Sequence, residues 1–274
     1  MAIEKWLIDS EKTIDFELVR HLKVSLIGGQ VDIVAHDEPG ARVEVHDVRG
    51  KPLSVTFEGD TLEVDHPQLR WDNFLDVFKG FTGNAKARVS ILVPRDVSLK
   101  FGVVSADALI SGITEDATIS TVSGDVVVDR VYGDLELNSV SGEIAVRDHY
   151  GTITAKSISG NLTASGEILK LGANTVSGQI FLDLRGIPDE ARVKSVSGDV
   201  TVRLEAGVPA QYKVNTVSGK LQLDNTEITG VRGSYTGKYG DLHQRWLEFS
   251  ATTVSGDVVV MHAAAAAAAK DGAA

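Results

Sequence analysis

Acidic side chains recur at a fixed nine-residue interval: Asp107, Asp116, Asp125, Asp134 and Glu143. On a repeating scaffold such residues form columns, and stacked carboxylates repel unless they are spread, hydrated or bridged by a cation. If alternate units stack, Asp107, Asp125 and Glu143 share one column, and calcium binding is the sharpest chemistry they offer. The pattern is not the Gly-Gly-x-Gly-x-Asp calcium nonapeptide, and it gives way to Asn161 and Gln179. The preferred reading is therefore solvated turn residues that also discourage end-to-end association. A second row of chemistry-bearing residues is Ser123, Ser141, Ser159, Ser177, Ser197, Ser218 and Ser255. One residue repeated at one structural position points to turn hydrogen bonding rather than a row of nucleophiles, and no Gly-x-Ser-x-Gly elbow accompanies it. His36-Asp37 and His46-Asp47 flank one turn but lack a third histidine at ligand spacing. No phosphate loop, dinucleotide fingerprint or His-Glu-x-x-His is present. Neither a catalytic constellation nor a cofactor is expected.

The elements that position these residues follow from the same register. Val122-Ser-Gly-Asp-Val-Val-Val-Asp-Arg130, Val131-Tyr-Gly-Asp-Leu-Glu-Leu-Asn-Ser139 and Val140-Ser-Gly-Glu-Ile-Ala-Val-Arg-Asp148 belong to a run without a slip from about Arg95 to Leu184. Position three is Gly in these units and at 151, 160 and 178, which suits a turn through a conformation other residues resist. Positions five and seven are apolar throughout, from Leu99 and Phe101 to Ile180 and Leu182. Apolar residues two apart mark one buried face of a strand. The position-six residues between them (Val127, Glu136, Ala145, Thr154 and Thr163) should face outward and supply no aromatics for a sugar. The Val/Ile-Ser-Gly form returns in every second unit, at Val122, Val140, Ile158 and Val176. Two half-coils per coil predict an all-β, stacked β-solenoid with roughly 18–21 residues per coil, each coil about 4.8 Å from the next. An antiparallel meander would need Asn-Gly or Asp-Gly turns between units. Later copies at Val196, Val217 and Val254 follow at spacings of 20, 21 and 37, so loops enter there.

The chain has 274 residues, no Cys and a formal net charge of −11. It is long enough for a sizeable core, and it excludes disulfides and thiolate metal sites. The acidic balance argues against nonspecific nucleic-acid binding and against attachment to anionic lipid. No stretch spans a bilayer, and the start lacks a leader pattern, so the expectation is cytoplasmic with no stable membrane insertion.

Along the chain, residues 1–94 read as a β-rich N-terminal part interrupted at 67–84. Within that interruption Trp71, Phe74, Leu75 and Phe78 fall at helical spacing. With Phe81 they form an aromatic cluster that either caps the end of the solenoid or binds a partner. Residues 95–262 read as the solenoid, with a glycine-rich hairpin expected in 226–250. The Ala-rich stretch 263–274 reads as a tail.

Thr121-Val-Ser-Gly-Asp-Val-Val-Val128, Ser195-Val-Ser-Gly-Asp-Val-Thr-Val202 and Thr253-Val-Ser-Gly-Asp-Val-Val-Val260 resemble the repeats of the adhesin-labelled bacterial DUF4097 family. Arg88-Val-Ser-Ile-Leu-Val-Pro94 and Arg232-Gly-Ser-Tyr-Thr-Gly237 fit the same pattern, and the resemblance runs from about Lys23 to Val260. It implies a β-strand-repeat protein without established catalytic residues and a link, in some members, to bacterial envelope stress. The expected function is a noncatalytic scaffold with a protein partner. The alternatives are a self-assembling homo-oligomer and a carbohydrate-binding or carbohydrate-acting solenoid.

Overall fold

The computed structural model describes residues 3–67, 85–224, 226–228 and 233–264. Among the described residues every regular element is a strand, and the 22 strands form one hydrogen-bonded system. The expected helix and its residues Trp71, Phe74, Leu75, Phe78 and Phe81 lie outside the described residues.

Two ladders run side by side, because each long strand serves one ladder with its first half and the other with its second. Four strands do this: β3 (His21–His36), β8 (Ser98–Ser111), β12 (Ile144–Ser157) and β13 (Leu162–Thr175). The first ladder opens with antiparallel β1 (Ile3–Ile8), β5 (Leu53–Glu58) and β6 (Thr61–Asp65). It continues in parallel through β3, β8, β9 (Ala117–Thr121), β11 (Tyr132–Ser139), β12, β13 and β15 (Glu190–Ser195). The second ladder opens with antiparallel β2 (Lys12–Phe16), β4 (Ala41–Arg49) and β7 (Lys86–Pro94). Its parallel part runs through β3, β8, β10 (Val126–Asp129), β12, β13, β14 (Ile180–Leu184) and β16 (Val200–Leu204). The alternating apolar positions drive this arrangement. Leu99, Phe101, Ile119 and Leu137 from the first ladder and Ile110, Val128, Val146 and Leu182 from the second are buried in one core cluster. The architecture is all-β and β-solenoid-like, and the parallel pairing departs from a meander.

The coils step evenly at Leu99↔Ala117, Val126↔Ile144 and Leu162↔Ile180, and the step lengthens between β13 and β15, where Leu171 faces Ala191. The next sequence repeat does not stack there. β21 (Leu247–Thr253) and β22 (Val258–His262) pair with β15 and β16, and β17 (Ala210–Thr216) and β18 (Leu221–Leu223) lie on their far side. The chain order Val196, Val217, Val254 thus becomes the spatial order Val196, Val254, Val217. Nor do the strands after β18 form a hairpin with each other. β19 (Thr226–Ile228) pairs antiparallel with β18, and β20 (Gly233–Tyr239) pairs antiparallel with β17. Each closes a different ladder.

Glycine at position three has two reasons: Gly133, Gly151 and Gly178 adopt the positive φ expected from the turn (89°, 138° and 148°), while Gly142 and Gly160 are required by close packing between coils. A Cβ on Gly142 would lie 2.2 Å from the carbonyl oxygen of Gly124, and one on Gly160 would lie 2.1 Å from that of Gly142. Neither residue has a positive φ, so the turn conformation expected from sequence is not the reason there.

Candidate functional surface

The repeated polar residues are consumed by the stacking. Asp107 Oδ1 accepts from the Asp125 backbone N–H at 3.1 Å, and Asp125 Oδ1 accepts from that of Glu143 at 3.0 Å. Asp116 serves Asp134 in the same way at 2.8 Å, Asn161 serves Gln179 at 2.9 Å, and Asp199 serves Asp257 at 2.9 Å. The side chain reaches the next coil's N–H just after the glycine column, where the ladder cannot satisfy it. An amide oxygen does this as well as a carboxylate, which explains Asn161 in the run. Among the described residues no group of three His, Asp or Glu could hold a metal ion. The serine row bonds between coils rather than within its own turn: Ser141 Oγ donates to Val122 O at 2.9 Å and Ser159 Oγ to Val140 O at 3.1 Å.

A third row escaped sequence reasoning. Thr121, Ser139, Ser157 and Ser195 donate their hydroxyls to the carbonyls of Gly124, Gly142, Gly160 and Gly198, tying off these four turns from inside, whereas among the described residues the equivalent Thr175, Thr216 and Thr253 hydroxyls make no such bond. The signal was available as a hydroxyl residue just before each Val/Ile-Ser-Gly. The two His-Asp pairs go separate ways. Asp37 bonds Arg95, whose guanidinium holds its carboxyl below the usual range, while His46 Nε2 lies 2.8 Å from Ser90 Oγ.

With these rows accounted for, the outer faces remain, and the two ladders present different chemistry. Position six alternates between them, so Val127, Ala145 and Thr163 stand on the second ladder and Glu136 and Thr154 on the first. The second ladder's outer face is laced with exposed apolar groups, including Leu109, Phe181 and Met261. The first is polar. From β12 to β20 it carries Lys156, paired with Glu136 at 3.6 Å, and Lys170, Arg192, Lys194, Lys213 and Lys238 against Glu167, Glu190 and Glu248. This excess of cations stands on a chain with 27 basic and 38 acidic residues.

The insertion of β21 shapes that patch. Register places Ser250 between Arg192 and Lys213, and Thr252 between Lys194 and Asn215. Glu248, Ser250 and Thr252 therefore floor a shallow trough, and the longer side chains of Glu190, Arg192 and Lys194 on one side and Gln211, Lys213 and Asn215 on the other wall it about 10 Å apart, two strand spacings. Arg192 is paired with Glu190, whereas Lys194 and Lys213 have no ion-pair partner among the described residues.

The family model described as Toastrack DUF4097 matches residues 19–261. The chain belongs to the DUF4097 family. No curated protein matches it. Among solved structures, a "Putative lipid binding protein" from Parabacteroides distasonis is 15% identical, with a TM-score of 0.52, over 93% of this chain and 97% of that one. A "putative cell adhesion protein" from Clostridium sporogenes is 11% identical, with a TM-score of 0.33, over 93% of this chain and 100% of that one. A "putative adhesin" from Bacteroides fragilis is 11% identical, with a TM-score of 0.40, over 92% and 97% of the two chains. At such identity the first likeness concerns the fold alone. Among the described residues no helix is long and apolar enough to cross a membrane.

Proposed function

We propose that this DUF4097 member is a noncatalytic binding scaffold, that its working surface is the C-terminal half of the first ladder's outer face, and that its partner is a protein presenting acidic groups there. The observation carrying this reading is the trough: Lys194 and Lys213 stand unpaired about Ser250 and Thr252 on an otherwise acidic molecule. Charge complementarity of this kind steers encounter and selects partners more than it adds affinity. The recurrent Asp and Ser, the residues with most chemistry to offer, are engaged in coil-to-coil bonds. A role in the bacterial envelope accords with the family resemblance.

The test is capture from host lysate, soluble and membrane fractions, by wild type, Lys194→Glu/Lys213→Glu and Trp71→Ser/Phe74→Ser/Phe78→Ser. The reading expects a partner released by raised salt and lost by the charge reversal alone. A partner lost only by the aromatic variant, with its fold checked by circular dichroism, would move the working surface to residues 67–84. Capture of a purified acidic polysaccharide in place of a protein would make the chain a carbohydrate binder. Self-association is a second reading, favoured by β1, whose outer edge strand exposes Ile3 and Leu7 at 61% and 65%. A mass that rises with concentration and falls to monomer in Leu7→Lys would support it.

A further inference from the structure

The last three coils are stacked out of chain order, and their registers make two orders compatible with one sequence. β21 and β22 meet β15 and β16 at Glu190↔Glu248 and Val200↔Val258. They meet β17 and β18 at Gln211↔Glu248 and Leu221↔Val258. Without the intervening coil, Gln211 would face Glu190 and Leu221 would face Val200, which is the same shift along the chain in both ladders. Every coil-to-coil device survives that change. Ser195-Val-Ser-Gly198, Thr253-Val-Ser-Gly256 and Thr216-Val-Ser-Gly219 are interchangeable at the corner. Asp199, which accepts from Asp257 N, could equally accept from Lys220 N, the group Asp257 now serves at 2.8 Å.

We propose that residues 247–262 are an insertable coil, and that the molecule has a second compact arrangement in which 210–223 stack directly on 190–204. Residues 247–262 follow all the other strands in the chain. Before they dock, the edges of β15 and β16 are open templates, and the nearest matching strands are β17 and β18. Two clamps then hold the inserted coil. Arg245 donates to Asp189 Oδ1 at 2.9 Å and to Ile187 O at 3.2 Å where β21 enters. At the exit His262 lies with Nδ1 3.0 Å from Asp224 and Nε2 3.0 Å from Val208 O, its ring stacked on Tyr239 at 3.8 Å. That one side chain joins the inserted coil, the end of β18, the 205–209 connector and β20. Insertion also separates Arg192 from Lys213, which the alternative order would place side by side, and like charges directly opposite are unfavourable.

The chain contains no cysteine, so paired cysteines on the second ladder, away from the trough, report the order directly. Thr201, Val259 and Gln222 occupy successive rungs. Thr201→Cys/Val259→Cys brings two Cα atoms within disulfide reach only in the inserted order, and Thr201→Cys/Gln222→Cys only in the alternative. Each pair is refolded from urea in the full chain with oxidation at timed intervals, and is also examined at equilibrium with Arg245→Ala/His262→Ala. The expected result is a 201–222 disulfide that forms early and vanishes in the intact chain, and that rises at least tenfold at equilibrium in the clamp variant. Should the clamp variant fail to fold, the refolding series on the intact chain decides. A 201–222 yield that never exceeds that of a distant control pair, while 201–259 forms from the earliest time, would overturn the proposal.

Discussion

Replacing Gly142 by Ala tests whether the glycine column is there for close approach. The added methyl would lie 2.2 Å from the Gly124 oxygen, whereas contacts under 3.0 Å are essentially never made by real Cβ atoms. The coils must part locally by about 1 Å to bring 2.2 Å above 3.0 Å, the kind of backbone shift that overpacking forces. That displacement strains the bonds on either side, Ser141 N to Val122 O at 2.8 Å and Glu143 N to Asp125 Oδ1 at 3.0 Å. Overpacking costs about 1–3 kcal/mol, and a contact against backbone on a rigid ladder belongs at the upper end, about 3 kcal/mol. Gly172 supplies the control: a Cβ there meets nothing within 4 Å and its φ is not positive. Gly172→Ala should be neutral or stabilising by about 0.4–1 kcal/mol through the unfolded chain. Urea unfolding of both variants, read as a change in midpoint at constant slope, makes the comparison. Equal stabilities for Gly142→Ala and Gly172→Ala would refute the close-approach account.

Two further predictions concern single side chains. Asp125→Ala should cost about 0.5–1.5 kcal/mol, the worth of one hydrogen bond, while Asp125→Asn should be near wild type because Asn161 does the same work for Gln179; equal losses in thermal melts would show that charge, not acceptance, matters. His66 is fully buried, accepts from Ile27 N at 3.2 Å through Nδ1, and is held by burial at about 4 instead of 6.5. Its folded form stays neutral while the unfolded form protonates, so stability is full above pH 6.5 and falls as pH drops towards 4, by about 3 kcal/mol at most. His149 is shifted in the same direction by burial. His66→Asn should flatten part of that decline in urea midpoints measured across the window, and an unchanged profile would remove His66 as its cause.

Much of the fold was legible because its rules are local. Leu135 and Leu137, or Ile144 and Val146, announce a strand with one buried face whatever follows them, and the recurrence of Val/Ile-Ser-Gly in every second unit gives the rung at which like packs on like. The candidate surface was not legible in that way. The alternation of half-coils read from the sequence does place Glu136 and Thr154 on one ladder and Val127 and Ala145 on the other, but it does not contain the β21 insertion that shapes the trough. Lys194 and Lys213 lie in separate repeats, and nothing in their spacing announces a shared trough. The aromatic residues of 67–84, which periodicity singled out, lie outside the described residues and so neither gain nor lose their role.

The sequence by itself determined the strand-and-turn unit, the apolar pair that fills the core and the rung spacing, since each depends on residues within one or two repeats. Tertiary structure alone decided the order of the last coils and the need for glycine at 142 and 160, where φ is not positive. Val196, Val217 and Val254 head nearly identical motifs, so every order offers the same main-chain pairing. The choice falls to contacts far apart in the chain: Arg245 with Asp189, and His262 with Asp224 and Val208. Gly142 and Gly160 likewise answer to a carbonyl one coil away, at a distance that no reading of a single repeat contains.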